Sequence, residues 1–221
     1  MIAVAFALEF ESAFFRAKHN PRLRLAIWLL GAMGSGAAMV LERKLAEIQP
    51  ELVISAGFAG GLQPDVRVGD LILGKNSSDP GIVERLVLSK RWHAGDILTC
   101  ERILETVADK RRLGVESGCL AADLETGHMA EVCRKRGIPM LSVRCISDAV
   151  EDAMPVPAET LLNPASGRPE PLKLFKHLVS NPGSVPGFNR LLKNAKTAQS
   201  QLASGLDEIL PQLLRGNALV S

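Results

Sequence analysis

LSVRCISDAV, residues 141–150, is a run of small, apolar and β-branched residues that suits a buried strand, yet it ends on Ser147 and Asp148. A carboxylate delivered by a buried strand is costly unless the strand's end opens on something polar. Working outward, short apolar runs alternate with longer stretches of helical periodicity, the pattern of an α/β fold with a largely parallel sheet. Strands are expected at 2–7, 25–30, 52–56, 70–73 and 140–146. Helices are expected at 11–18, 37–48, 101–110, 125–136, 171–179 and 188–214, with Gly137 and Pro139 stopping the fourth just before the opening strand. Seven of the thirteen prolines fall in 155–186, which reads as an irregular segment with one short helix.

With 221 residues and 47% hydrophobic content, the chain can bury one substantial core, so a single domain over 1–221 is expected. A net charge of +2 gives no global field that argues for nucleic acid or a membrane. The local balance differs: 168–196 carries Arg168, Lys173, Lys176, Arg190, Lys193 and Lys196 against the single Glu170. Four cysteines without C-x-x-C or zinc-ligand spacing read as reduced thiols of a cytoplasmic protein, with no metal site. The uncharged run LAIWLLGAMGSGAAMVL (25–41) reaches the lower length of a membrane span, but Gly31, Gly34 and Gly36 make strand, turn and helix the better reading.

Acids recur at the ends of expected elements: Glu9 and Glu11 follow the first strand, Asp123 and Glu125 stand at the entry to the fourth helix, and Asp148 follows the late strand. In a parallel sheet such ends lie along one rim, where open α/β sheets bind ligands. Helix capping alone would explain Glu11 or Asp123 singly, but accounts less well for all three groups. Two glycine-bearing turns are expected on the same rim. GAMGSG (31–36) is neither a dinucleotide fingerprint nor a P-loop, and ISAGFAGGL (54–62) would let backbone N–H groups approach a ligand.

SAGFAGGLQPDVRVGDLIL (55–73), AADLETGHMAEVCRKRGIPMLSVRCISD (121–148) and FALEFE (6–11) resemble the purine nucleoside phosphorylase and methylthioadenosine/S-adenosylhomocysteine nucleosidase superfamily. The resemblance runs from residue 2 to about 150. The remaining third, with NPASGRPEPLKLFKHLVSNPGSVPGFNRLL (163–192), looks more like the hopanoid-associated phosphorylase branch. This resemblance implies a three-layer α/β/α sandwich around a mixed, partly closed sheet, and cleavage of the N-ribosidic bond of a purine, with adenine favoured. Breaking that bond puts positive charge on the sugar and negative charge on the departing base, so an acid must neutralise the base.

By the same resemblance Asp148 is the general acid, a carboxyl that desolvation would help to keep protonated, and Ser147 orients it. Glu125 accepts from the ribose hydroxyls, with Leu124 on the sugar. Asp123 stands at the substrate turn but reads as structural, with Arg144 a partner for an acid elsewhere. Glu11 activates water, braced by Glu9, while Phe58, Ala59 and Gly60 border the base. Gly34, Ser35 and Gly36 form a possible loop for the nucleophile or phosphate. Water and phosphate both stay open as nucleophile, with water favoured because two acids in the Glu9–Glu11 loop repel an anion.

No cofactor is implied beyond phosphate as a possible co-substrate. The partners expected are a small purine nucleoside and a second copy of the chain, as a dimer. A weak peripheral membrane contact through 168–196 would suit a lipid-linked adenosyl substrate. Trp92 and His93, after a basic pair, fit either the border of the sugar end or a solvated turn, and His128 reads as a helix-surface residue. A non-catalytic nucleoside-binding protein on the same fold is the alternative of another class. The joint presence of Glu11, Glu125 and Asp148 speaks against it.

Overall fold

The computed structural model describes residues 1–18, 25–163 and 169–216. In chain order the elements are β1 (Ile2–Phe6), α1 (Glu9–Lys18), β2 (Leu25–Leu29), α2 (Ser35–Glu47), β3 (Leu52–Gly61), β4 (Leu71–Gly74) and α3 (Pro80–Val83). They continue with β5 (Trp92–Gly95), β6 (Ile97–Thr99), α4 (Val107–Ser117), β7 (Ala121–Asp123) and α5 (Thr126–Lys135). The last are β8 (Met140–Asp148), α6 (Ala158–Leu161), α7 (Pro171–Ser180) and α8 (Val185–Gly216). Arg168, counted in the basic segment above, lies outside the described residues.

One mixed sheet runs β2-β1-β3-β8-β4-β5, and β6 and β7 join it through β7 against the end of β3. β1, β2, β3 and β8 are parallel neighbours, while β4 runs antiparallel to β8. The Asn76 side chain then closes much of the remaining gap. Its amide donates to Ile97 O at 2.9 Å and its Oδ1 accepts from Ile97 N at 3.2 Å, which ties the end of β4 to β6 as a strand neighbour would. Ala59, Val66, Ile72, Ile97, Ala121 and Ile146 fill the inside of this curl.

The alternation of β1 sets the three layers, because successive side chains leave opposite faces. Ile2, Val4 and Phe6 pack with Ile54, Val143 and the buried face of α8, where Ala198, Leu202, Leu206, Ile209 and Leu213 recur at helical spacing. Ala3 and Ala5 face the other way with Val53, against Leu41 and Leu45 of α2 and Met129 and Cys133 of α5. Burying each larger side chain here is worth about 1.5–3 kcal/mol, so both faces of the sheet are anchored.

Four expectations need correction. The ISAGFAGGL stretch is not a turn after a short strand: its residues 54–61 are the last eight of the ten-residue β3, because β8 and β7 supply partners for its backbone as far as Gly61. The helix expected at 101–110 begins instead at Val107: Thr106 Oγ1 accepts from Asp109 N at 3.0 Å, and the helix stops at Gly118 in the left-handed region. Trp92 and His93 do not border the site. They form β5, paired in register with β4 at the sheet's edge, with Trp92 buried against the core and His93 beside Asp70 at 3.3 Å. Among the described residues of 155–186, α6 precedes the expected helix α7, a short 3-10 turn follows at Pro182–Ser184, and α8 already begins at Val185. The run 25–41 is β2, a turn and α2, and no described helix is long and apolar enough to cross a membrane. All four cysteines are free.

Candidate active site

A cavity of about 500 Å³ opens at the C-terminal ends of β1, β3 and β8. Glu11, Asp123, Leu124, Glu125, Phe58, Ala59, Gly60, Ser147 and Asp148 all line it, so the rim brings together acids from three distant parts of the chain.

The glycines of β3 make room for two of these acids. A Cβ on Gly57 would stand 2.9 Å from Glu11 Oε1, and one on Gly60 would stand 3.0 Å from Asp148 Oδ2. The backbone also binds Glu11 directly, with Leu8 N and Phe58 N each donating to its carboxylate at 2.9 Å. Burial raises the Glu11 pKa above its ordinary 4.5; the two amides and Arg144 oppose that rise and Asp123 adds to it. Glu9 does not brace Glu11. It lies on the exposed side of α1, where it takes Arg16 at 3.1 Å.

Between β3 and β8 the register slips: Ala59 faces Ile146, but Gly60 faces Asp148, leaving Ser147 as the extra residue. Without this bulge Asp148 would fall on the same face as Arg144 and Ile146. Ser147 Oγ donates to Asp148 Oδ1 at 2.7 Å. On its other oxygen Asp148 meets Lys110, a residue that the sequence reading missed. Desolvation by an apolar strand is therefore not what surrounds this carboxyl; its immediate partners are a hydroxyl and an amine.

Asp123 and Glu125 lie two residues apart in different settings. Asp123 is fully engaged by Arg144 Nε at 2.7 Å, Thr126 N at 3.2 Å, the Thr126 hydroxyl and Thr99 Oγ1 at 3.3 Å. Arg144 also donates to Ser55 O at 2.8 Å and to Ser55 Oγ at 3.0 Å. Asp123 thus locks β7, β8 and the start of α5 together and leaves Glu125 to face the cavity. Glu125 accepts from Gly34 N at 2.9 Å. Its pKa is raised from 4.5 to about 7 by burial first, then by Asp123 and Glu11, against the Gly34 amide and Arg144.

The 31–36 turn serves Glu125 in the structure. Gly34 N is taken by Glu125 and Gly36 N by Met33 O at 3.0 Å, while Ser35 is exposed and Met33 is the residue of the turn that lines the cavity. Phe58 meets Phe10 edge-on, ring centroids 5.5 Å apart. The far end of the cavity is a long apolar wall: Met154, Leu161, Leu162, Leu174, Phe188, Leu191 and Leu192. No cluster suited to holding a metal ion occurs among the described residues.

A mixed α/β sheet with acids gathered at one rim, facing an apolar chamber, marks a small-molecule site with a polar end and an apolar end. Residues 26–91 and 78–179 match the model of the phosphorylase superfamily, and the chain belongs to that family. It is 25% identical over 213 residues to the 5′-methylthioadenosine/S-adenosylhomocysteine nucleosidase of Geobacillus thermodenitrificans, covering 74% of this chain and 90% of that protein. It is 22% identical over 122 residues to the DeoD-type purine nucleoside phosphorylase of Caldanaerobacter subterraneus, covering 44% and 53%. In fold it matches the 5′-methylthioadenosine/S-adenosylhomocysteine nucleosidase of Neisseria meningitidis in complex with methylthio-immucillin-A. The TM-score is 0.67 at 18% identity, over 95% of this chain and 97% of that one.

Proposed function

We propose that the protein cleaves the N-ribosidic bond of an adenine nucleoside, with water as the attacking nucleophile. The observation that carries this reading is Glu11: a buried carboxylate with a raised pKa, held by two backbone amides on the cavity floor. A base of that kind can take a proton from water near neutrality, whereas phosphate needs cations and free N–H donors. The nearby Gly34 and Gly36 amides are already engaged, and Arg144 is committed to Asp123 and Ser55. In this reading Asp148 delivers a proton to the departing base. Glu125, as an ionised acceptor, holds the ribose hydroxyls and favours the cationic sugar of the transition state. The nucleosidase relatives support the same reaction.

The apolar wall supports a second, finer reading, an adenosyl substrate whose 5′ substituent is hydrocarbon-like, including a lipid-linked one. Beside that wall α7 turns Leu172, Phe175 and Val179 outward, each about two-thirds exposed, on the helix that also carries Lys173 and Lys176. Such a face suits weak contact with an anionic bilayer from which a lipidic substrate would be drawn. The test follows adenine release from adenosine, 5′-methylthioadenosine, a 5′-octylthio analogue and S-adenosylhomocysteine. Highest kcat/KM on the octylthio compound is expected. Adenine release from none of them would overturn the reaction, and best turnover of the zwitterionic S-adenosylhomocysteine would overturn the apolar subsite.

A further inference from the structure

Lys110 has no counterpart among the roles assigned above. It sits in the first turn of α4 and is 1% exposed, with its amine against Asp148 Oδ2, Ala149 O at 3.0 Å and Asp152 O at 2.8 Å. The two carbonyls can only accept, so they take two of the amine's hydrogens. The third direction, toward Asp148, holds one proton that either partner can own: ammonium facing carboxylate, or amine facing carboxylic acid. Every group is satisfied in both forms. A buried ion pair is weak evidence of a purely stabilising role, since an apolar side chain of similar volume usually serves as well. The placement is also directional: both residues line the cavity, but Asp148 is 18% exposed and Lys110 only 1%.

We propose that Lys110 is the proton reservoir for Asp148, a positioning residue that recharges the acid without touching the base. The inference rests on the N-ribosidic cleavage proposed above. As the bond between the sugar's C1′ and the purine nitrogen breaks, its electron pair leaves with the base. The shared proton passes from the Lys110 ammonium through the Asp148 carboxyl to the base's imidazole ring, leaving Lys110 a neutral amine and Asp148 a carboxylate. Water forms the new bond to C1′ and loses its proton to Glu11. Exchange with solvent after product release returns Glu11 to the ionised form and Lys110 to the ammonium. The other charged groups around the pair are Glu11, Asp123, Glu125, Arg102 and Lys196 on the cavity side, Arg144 behind Asp123, and Asp152, Glu151 and Arg111 on the loop and helix outside.

The test compares two leaving groups in Lys110→Met. Adenosine needs a proton to leave, whereas a p-nitrophenyl riboside departs as a stable anion. The expected result is a fall in kcat of about 100-fold or more on adenosine with kcat on the nitrophenyl riboside within about threefold of the unmodified protein. Because the ratio is taken on one preparation, a partly unfolded variant lowers both rates and leaves the ratio unchanged. Equal losses on the two substrates, or no loss on adenosine, would overturn the proposal. Failure of the unmodified protein to release adenine from any nucleoside would sink the cleavage reading itself. Normal release with an unchanged ratio in the variant sinks only the relay.

Discussion

Glu125→Gln should make the unliganded protein more stable while making it a worse enzyme. The amide keeps the shape of the side chain, and its carbonyl can still accept from Gly34 N. What it removes is a carboxyl whose pKa rises from 4.5 to about 7 on folding, through burial and the proximity of Asp123 and Glu11. Below about pH 4.5 the group is protonated both folded and unfolded, so it costs nothing. As pH climbs toward 7 the unfolded chain ionises while the folded one holds its proton, and stability is lost across that window. The full difference corresponds to about 3 kcal/mol, an upper figure because neighbouring acids share it. For a chain of this size that is a Tm gain of roughly 5–10 °C in the variant at pH 8. Thermal unfolding at pH 4.5 and pH 8, followed by circular dichroism, reads it directly: near-equal Tm values at the lower pH and a clear gain at the higher. A gain of the same size at both pH values, or none at pH 8, would refute the electrostatic account of this site. In the same variant kcat should fall together with kcat/KM, because the lost charge acts on the transition state.

Other outcomes follow from the same geometry. Asp148→Asn should fold normally and lose about 10²- to 10⁴-fold in kcat on a natural nucleoside; steady-state adenine release within about twofold of the unmodified protein would remove it from the acid's role. Gly57→Ala places a methyl group 2.9 Å from Glu11 Oε1, so kcat should drop sharply at little cost in Tm, and full activity would show that Glu11 has slack. Because Glu11 must be ionised to act as a base and its pKa is raised, kcat/KM should decline on acidification at a pH above the ordinary carboxylate range, and Glu11→Gln should abolish turnover. Charge reversal at Lys173, Lys176 and Lys193 should eliminate low-salt sedimentation with anionic vesicles while sparing adenosine turnover; no binding by the unmodified protein even at low salt would dismiss the bilayer contact.

The sheet and the rim were legible because strands buried on both faces read as near-continuous apolar runs, and an acid at the end of such a run stands out. Glu11 and Asp148 stood out in this way and Glu125 by its place at a helix entry, while the family resemblance supplied their roles; Arg144 was recognised as a partner for an acid. The partner's identity was not legible, since Asp123 and Glu125 are two carboxylates in one short turn, and only the fold gives Arg144 to the first and the cavity to the second. Lys110 stayed hidden for a local reason. The helix expected from 101 placed Lys110 at its end, whereas T-V-A-D at 106–109 marks the true start and puts Lys110 in the first turn. Its burial could not be foreseen even so, because the groups that accept from it lie 38 to 42 residues further on. The glycines of β3 were read as a turn, and their function as clearance for two carboxylates depends on contacts across the sheet.

The nature of the nucleophile is the part of the account most directly open to measurement. Purified protein given adenosine or 5′-methylthioadenosine in phosphate-free buffer should release adenine and the free sugar, and added phosphate should change neither the rate nor the products. Release of the sugar as its 1-phosphate, with a rate that rises with phosphate concentration, would contradict Glu11 as the base for water.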